Sequence, residues 1–184
     1  TDMIGKKFAN PCVTLVDDPT VHDAFGFYMY DDEGVKARRK YLIKEGSITE
    51  LLQNLERAAA LKTHSNAAAR ASEFDKEAIV RMSNTFFLPG EYKTEAELIE
   101  GVKLGVYLKN FMEWNIDDKR YNNRYVGAEA YLIENGKLTV PVRNPAIEVT
   151  TPALYAAIDA CAQNIEFHSA SCGKGEPMQG IPVS

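Results

Sequence analysis

Residues 130–140 read AYLIENGKLTV, two short apolar runs joined by an Asn-Gly pair. Asn135 and Gly136 are the residue types that most readily adopt the two positive φ values of a type I′ turn. This stretch therefore predicts a β-hairpin with one strand on each side of the turn. A similar pattern, YLIKEGSI at residues 41–48, predicts a second hairpin.

Shorter apolar runs elsewhere predict further strands. The run CVTLV at 12–16 is β-branched and lies between Pro11 and an Asp-Asp-Pro turn, so Cys12 is interpreted as a core residue at the start of a buried strand. The run RMSNTFFL at 81–88 precedes Pro-Gly, and the chain ends as another strand begins near Ile181.

Three segments have the capping and periodicity of helices. One helix is expected to begin near Asn54, and a second follows the capping box formed by Thr94 and Glu97. The apolar face of the second helix continues through Val106 and Phe111, but Gly101 and Gly105 interrupt it, and the alternative is a helix that stops near Gly105 and passes into a strand. These segments and the hairpins predict an α+β fold, an antiparallel, hairpin-rich sheet with two or three helices.

The third helix is expected to open at Thr151, followed by a proline at the first helical position. Leu154, Ile158 and Cys161 would share its buried face, which makes Cys161 a core residue. Two stretches lack any periodicity. Residues 64–77 predict a long irregular segment, and residues 169–175 predict a flexible one.

Composition limits the class of protein. The chain has 184 residues, 21 basic and 26 acidic side chains and a formal net charge of −5. This length indicates one domain, and no apolar run approaches the ~20 residues of a membrane-spanning helix. No signal peptide is recognisable at the N-terminus. Three widely spaced cysteines fit a reducing compartment, so we expect a cytoplasmic protein without a membrane partner.

The charge distribution argues against direct binding of nucleic acid, which depends on clustered Lys and Arg. The tight basic cluster of the chain follows three acidic residues directly and is interpreted as a solvated strand or loop face. Its members are Lys36, Arg38, Arg39 and Lys40.

Cys172 is the first candidate for chemistry. It lies in a small-residue loop next to Gly173 and Lys174, where a thiol is accessible and can act as a metal ligand or nucleophile. The alternative is an incidental loop cysteine. His168 lies four residues earlier and can share a metal with it, whereas His22 and His64 are interpreted as surface residues.

A second candidate set is polar. Arg81, Asn84 and Thr85 lie between apolar residues and are of the types that hold a backbone or a peptide substrate. The alternative is a strand whose polar face points outward. Periodicity alone does not decide between the two.

Several motifs in this order are similar to those of one known family. They are VTLVDD at 13–18, DEGV at 32–35, RMSNT at 81–85, PG at 89–90, ELI at 97–99, GVY at 105–107, AEAYLIENGK at 128–137, PV at 141–142, CGK at 172–174 and QGIPV at 179–183. In these residues the chain resembles the TldD/PmbA family, also named modulators of DNA gyrase.

The resemblance implies a function. The TldD branch of the family is a zinc metallopeptidase whose metal is bound by two histidines of a His-Glu-x-x-x-His helix and by the cysteine of a Cys-Gly-Lys loop. The PmbA (TldE) branch lacks that set and is a partner subunit. The resemblance assigns Cys172 as a zinc ligand. It implies a peptide or unfolded protein substrate and a homodimer or a heterodimer with a TldE/PmbA-like subunit.

Two departures qualify the resemblance. The chain contains no His-Glu-x-x-x-His, and family order places that helix just before Thr1. We therefore expect residues 1–184 to be a C-terminal domain truncated at both ends, which binds zinc weakly and is inactive in isolation. Residues 65–70 read SNAAAR where the family has a glycine-rich Asn-Gly-x-Gly-Arg run, which weakens the expectation of a backbone contact with substrate there.

Three hypotheses follow. The leading one is the C-terminal part of a TldD-like metallopeptidase that cleaves unfolded or extended peptides, with Arg81, Asn84 and Thr85 as the candidates for holding them. The second is a non-catalytic PmbA/TldE-like partner that shapes a peptide channel. The third is a gyrase-associated binding module, which the acidic charge does not support as a DNA binder.

Overall fold

The computed structural model describes residues 2–184, except for the side chain of Phe111. The chain forms two compact units. The first includes residues 2–7, 14–88 and 165–184, and the second includes residues 8–13 and 89–164. Each unit contains both helix and antiparallel strand, so the predicted α+β class is confirmed. Within the described residues, no helix has the length and apolar character needed to cross a membrane.

The first unit contains one four-stranded sheet and two strand pairs. Its elements are β1 (Leu15–Asp17), β2 (Lys40–Lys44), β3 (Ser47–Ile48), α1 (Leu55–Ala60), β4 (Ala69–Arg70), β5 (Ile79–Val80), β6 (Thr85–Phe87), β11 (Ala170–Lys174) and β12 (Gln179–Val183). The sheet order is β3-β2-β1-β6, with every neighbouring pair antiparallel. Strand β4 pairs with β5, and β11 pairs with β12.

Local sequence signals account for much of this unit. The hairpin predicted at 41–48 is confirmed as β2 and β3, and its turn residues Glu45 and Gly46 have φ values of 48° and 80°. Helix α1 begins where predicted, because the Asn54 side chain accepts a hydrogen bond from the Arg57 amide at 3.0 Å.

Three predictions for the first unit were wrong. Residues 66–70 are fully buried and include β4, so the segment 64–77 is not irregular throughout. The stretch 169–175 is not a flexible loop but contains β11, which pairs with β12 in register from Ala170 to Lys174. Cys12 lies before β1, belongs to the second unit and is exposed.

The second unit is built on one long central strand. Its elements are α2 (Glu95–Glu100), β7 (Leu104–Ile116), β8 (Asn122–Glu134), β9 (Lys137–Pro141), β10 (Ala146–Thr150) and α3 (Thr151–Ala157). Strand β8 pairs with β7 on one side and with β10 and β9 on the other. All of these pairs are antiparallel.

The Asn-Gly turn is confirmed between β8 and β9. Asn135 and Gly136 have φ values of 50° and 77°, as a type I′ turn requires. The turn also contacts the chain between α2 and β7, because the Gly136 amide donates to the Val102 carbonyl at 2.9 Å. The turn residues therefore set both the hairpin and its contact with a neighbouring segment.

The helices of this unit begin close to the predicted residues but end earlier. Thr94 caps α2 as expected, with the Glu97 amide donating to its hydroxyl at 3.3 Å. Helix α2 ends at Glu100 and Val106 belongs to β7, so the apolar helical face does not continue to Val106. The alternative, a helix that stops near Gly105 and passes into a strand, is confirmed. The chain forms a strand rather than a helix from Leu104 onward, because β8 pairs with these residues along most of its length. The predicted apolar role of the Phe111 side chain lies outside the described residues.

Helix α3 is capped by Thr150 rather than Thr151 and ends at Ala157. Ile158 and Cys161 therefore lie beyond the helix, and Leu154 is only half-buried. The prediction of a shared buried helical face was wrong. The apolar spacing predicted too long a helix, because the backbone becomes extended at Ile158.

We predict that Gly136→Ala destabilises the second unit by more than ~1 kcal/mol. Alanine is strained at φ 77°, and its Cβ would lie 2.6 Å from the Glu100 carbonyl oxygen. The matched control is Gly101→Ala, which has a negative φ and whose Cβ would lie 3.8 Å from its nearest neighbour. Urea denaturation measures both variants. Equal free energies of unfolding would contradict the assigned role of the turn.

Candidate functional site

A fully buried ion pair lies at the centre of the first unit. Neither Asp17 of β1 nor Lys40 of β2 exposes any of its side chain, and their charged atoms Oδ2 and Nζ lie 2.9 Å apart. Burial lowers the pKa of the Lys40 ammonium, and the Asp17 carboxylate opposes that effect. Lys40 was predicted to lie on a solvated face, and that prediction was wrong because this carboxylate holds its ammonium inside the fold.

The Asp17 carboxylate also accepts hydrogen bonds from a third segment. The Ser83 amide and hydroxyl donate to it at 2.6 and 2.8 Å, and the Thr85 hydroxyl donates at 2.9 Å. Four donors therefore surround one buried carboxylate, which satisfies its charge. The carboxylate thereby joins β1, β2 and the stretch that contains two of the predicted site residues.

Asn84 is buried and holds two main-chain groups. Its side-chain oxygen accepts from the Gly26 amide at 2.9 Å, and its side-chain nitrogen donates to the Asp18 carbonyl at 2.8 Å. Gly26 must be glycine at this approach, because a Cβ there would lie 2.6 Å from the Asn84 oxygen. The Asn84 side chain thus ties the loop at residue 26 to the end of β1.

Both arginines of the basic cluster are also paired. The Arg39 Nε lies 2.7 Å from the buried carboxylate of Asp18, and Arg38 lies 2.8 Å from Glu50. Burial alone would raise the pKa of Asp18, but hydrogen bonds from Thr20 and Arg39 outweigh it and hold this pKa below its usual range. Lys36, Arg38 and Arg39 are exposed, so the prediction of a solvated face is confirmed for these three residues and wrong for Lys40.

Two buried arginines, here called the arginine pair, connect the segment 67–84 to the hairpin of β11 and β12, here called the Cys172 hairpin. The Arg81 guanidinium donates to the main-chain carbonyls of Cys172 and, at 3.0 Å, of Gln179. Arg70 donates to the Pro182 carbonyl at 2.8 Å and to the Met82 carbonyl at 2.9 Å. Arg81 thus reaches both strands of the hairpin.

Two side chains of the Cys172 hairpin bind back to the same segment. The side-chain oxygen of the buried Gln179 accepts a hydrogen bond from the backbone amide of Ser72 at 3.0 Å. Its side-chain nitrogen donates to the Glu77 carbonyl at 3.1 Å. The Lys174 ammonium donates to the Val80 carbonyl at 2.9 Å. Polar contacts with main-chain groups thus add to the burial of Ile181 and Val183 in attaching the hairpin.

Cys172 is a free, half-buried thiol on β11, opposite Ile181 of β12. Its soft sulfur fits one ligand position of a zinc ion. The described residues contain no cluster of three or more His, Cys, Asp or Glu side chains that would complete such a site. His168 is exposed and lies 3.8 Å from the Glu166 carboxylate, and its predicted sharing of a metal with Cys172 stays a prediction.

The remaining cysteines and histidines differ in exposure. Cys161 is half-buried in the second unit, and burial raises the pKa of its thiol. The interpretation of Cys161 as a small internal residue therefore holds in part. His22 and His64 are exposed, as predicted.

Sequence reasoning placed Arg81, Asn84 and Thr85 in the candidate site and missed Asp17, Lys40, Arg70 and Gln179. The available signal was the charge of Asp17 and Lys40 at the ends of short apolar strands, where an unpaired charge is costly. The side-chain partners described for Arg81, Asn84 and Thr85 are groups of the protein itself. Their predicted contact with substrate stays a prediction.

Comparison with known proteins places these features in context. The model of the family described as the PmbA/TldA metallopeptidase C-terminal domain matches residues 1–180. A metalloprotease of Methanocaldococcus jannaschii is 35% identical over 182 residues, covering 99% of this chain and 40% of the relative. A zinc metalloprotease TldD homolog of Saccharolobus solfataricus is 30% identical, covering 96% and 39%. The chain thus spans about two-fifths of the length of these relatives.

Solved structures share the fold. TldE from Thermococcus kodakarensis superposes with a TM-score of 0.74 at 18% identity, over 98% of this chain and 39% of that one. A Thermotoga maritima protein named after modulation of a DNA gyrase superposes with a TM-score of 0.74 at 20% identity, over 98% and 40%. At this identity the likeness concerns the fold alone.

We predict that Lys40→Met destabilises the first unit by about 3–5 kcal/mol, because it leaves the Asp17 carboxylate buried without its counter-charge. The control is Lys44→Met on the same strand, where the lysine is exposed and the cost is below about 1 kcal/mol. Chemical denaturation gives both free energies of unfolding. Similar losses in the two variants would show that the ion pair is not a main support of the sheet.

Asp18 gives a pH-dependent prediction. Its folded-state pKa lies below the value of about 3.9 in unfolded chains, so its ionised form stabilises the fold above that pH. The contribution is lost as pH falls through the lower folded-state pKa. Asp18→Asn keeps an oxygen acceptor for Thr20 but removes the charge facing Arg39. We expect a loss of about 1–2 kcal/mol at neutral pH, reduced by the exposure of Arg39.

The measurement is urea unfolding of both proteins from neutral pH down to about pH 2.5. The difference between wild type and Asp18→Asn should stay constant until about pH 4 and then shrink. Asp75→Asn, which changes an exposed carboxylate, is the control and should cost less than about 0.5 kcal/mol throughout. A difference that grows toward low pH would contradict the assignment.

Proposed function

Because the chain belongs to the PmbA/TldD metallopeptidase family, we propose that it is the C-terminal part of a TldD-like zinc metallopeptidase that cleaves unfolded or extended peptides. Cys172 would supply one zinc ligand. The observation that carries this proposal is a free, half-buried thiol on a hairpin that buried arginines attach to the rest of its unit.

The donor chemistry supports one ligand from this chain. Thiolate sulfur and imidazole nitrogen are the usual protein ligands of zinc, and a catalytic site keeps one position open. The bound metal lowers the pKa of a water molecule to about 7. Since the described residues contain no complete ligand cluster, the other ligands would come from outside these 184 residues. The isolated chain is accordingly proposed to bind zinc weakly and to be inactive.

The names of the relatives favour the enzyme over a non-catalytic partner. Relatives at 30–35% identity are named metalloproteases, whereas the likeness to TldE is at 18% identity. The free thiol of Cys172 agrees with a ligand role. A PmbA/TldE-like partner remains the second proposal, and we propose that the protein works as a homodimer or as a heterodimer with such a subunit.

Substrate would be held in extended form by main-chain pairing. The stretch containing Arg81, Asn84 and Thr85 is the proposed location. The hydrogen bonds described for these side chains go to other parts of the protein, which holds the local main chain in one conformation. Since the amides of Arg81 and Ser83 are also bonded within the protein, we propose that this stretch shapes the peptide-binding region rather than pairing with the peptide itself.

The test is Cys172→Ser in the protein at its full natural length, with its partner subunit where it has one. We expect zinc affinity to fall at least about tenfold, because a hydroxyl is a poor substitute for a thiolate. Hydrolysis of an unstructured, fluorescence-quenched peptide should fall with it. Cys12→Ser, which changes an exposed thiol in the other unit, should leave both unchanged.

Zinc is measured by mass spectrometry of the dialysed protein and by competition with a chelator. Retention of one tightly bound zinc in Cys172→Ser would contradict the ligand role. Peptide hydrolysis at the normal rate by that variant would likewise contradict the ligand role, whereas no hydrolysis by the wild-type protein at its full natural length would contradict the proposed function as a whole.

A further inference from the structure

The Cys172 hairpin has few supports of its own. Strands β11 and β12 pair only with each other among the described strands, and a two-stranded ribbon alone is marginally stable in water. Ser171, Gly173 and Lys174 beside the cysteine are exposed. The position of the Cys172 main chain must therefore be set by contacts from outside the hairpin.

Arg81 provides the most direct of these contacts. Its side chain is 2% exposed, and its guanidinium binds carbonyls on both strands of the hairpin, at Cys172 and at Gln179. A planar guanidinium can hold two acceptors at a fixed spacing, whereas a lysine ammonium acts as a single point charge. One side chain thus fixes the carbonyl of the cysteine itself relative to the opposite strand.

Arg81 is itself held in place. Its amide donates to the Ala68 carbonyl at 2.8 Å, within the fully buried segment 66–70. The neighbouring Ala67 carbonyl accepts from the Tyr28 hydroxyl at 2.7 Å and from the Lys40 ammonium at 3.2 Å. The buried Asp17–Lys40 pair is therefore connected to Arg81 through the main chain of Ala67 and Ala68.

We propose that Arg81 is a positioning residue, which orients the Cys172 thiolate for the metal through the main chain of the cysteine. This inference rests on the proposed function, in which Cys172 is a zinc ligand. A metal ligand has to be held within about 0.5 Å of its working position, and residues that support a ligand change metal affinity about 10–100-fold when mutated. Arg81 makes such a supporting contact and is almost completely buried.

The test uses Arg81→Lys in the protein at its full natural length. Lysine keeps the positive charge but lacks the planar guanidinium that binds two carbonyls at once. Arg70→Lys is the matched control. Arg70 is also a buried arginine bound to a hairpin carbonyl, that of Pro182, but it does not bind Cys172. Cys172→Ser is measured alongside. Should Arg81→Lys fail to fold, Arg81→Gln, whose amide can still reach one carbonyl, takes its place.

Two readouts are independent of catalysis. The first is zinc affinity by chelator competition, together with the thiolate-to-metal absorption band of the cobalt-substituted protein. The second is the rate of alkylation of Cys172 by iodoacetamide in the metal-free protein, followed on the peptide that contains it by mass spectrometry. We expect Arg81→Lys to weaken zinc about 10–100-fold, to alter the cobalt band and to speed alkylation. Arg70→Lys should change zinc affinity less than Arg81→Lys at a similar loss of stability.

The outcomes separate the two proposals. If Cys172→Ser abolishes the cobalt band while Arg81→Lys keeps the wild-type affinity and band, the positioning role is overturned and the ligand role stands. If Cys172→Ser leaves the band unchanged, both are overturned. If the two arginine variants lose zinc affinity equally and in proportion to their stability, Arg81 is a general support of the fold and the positioning role is overturned.

Discussion

The first unit depends on the Asp17 carboxylate, which is buried without exposure and surrounded by donors. An ionised carboxylate in this position is tolerable only if its charge is compensated by a cation and by hydrogen bonds. Lys40 supplies the cation at 2.9 Å, and Ser83 and Thr85 supply the hydrogen bonds. These partners come from separate stretches of the chain, so satisfying one charge requires β1, β2 and the start of β6 to assemble together.

The same requirement extends to the hairpin that carries Cys172. Lys40 and Tyr28 both donate to the Ala67 carbonyl, and Ala67 has a φ of 59°, a left-handed conformation that costs an alanine roughly 1 kcal/mol. The two donors hold an alanine in a conformation that glycine adopts freely. The arginine pair then connects this buried segment to the hairpin. Charged side chains and carbonyls thus help to set the position of a half-buried thiol, together with the buried Ile181 opposite it.

Local signals predicted the parts of the fold that depend on a few adjacent residues. Three such parts were predictable: the Asn135–Gly136 turn, the cap at Thr94 and the start of α1 at Asn54. The geometry of each is determined by two to four neighbouring residues. The end of α2, the exposure of Cys12 and the burial of residues 66–70 were not, because each depends on which distant segment offers a partner. The candidate site follows the same division. Cys172 and Arg81 were recognisable as chemical groups, but the contact between them joins residues 91 positions apart.

The sequence by itself determined the hairpins at 41–48 and 130–140, the helix starts, the acidic charge and, through its ordered motifs, the family to which the chain belongs. Only the tertiary structure decided that Lys40 is a buried counter-ion rather than a surface charge, and that Arg81 binds the main chain of the Cys172 hairpin. The physical reason is that the energy of a charged side chain depends on its surroundings. The sequence does not show whether a lysine or an arginine will be surrounded by water or by buried carboxylate and carbonyl groups. Its surroundings are decided only when distant segments pack together.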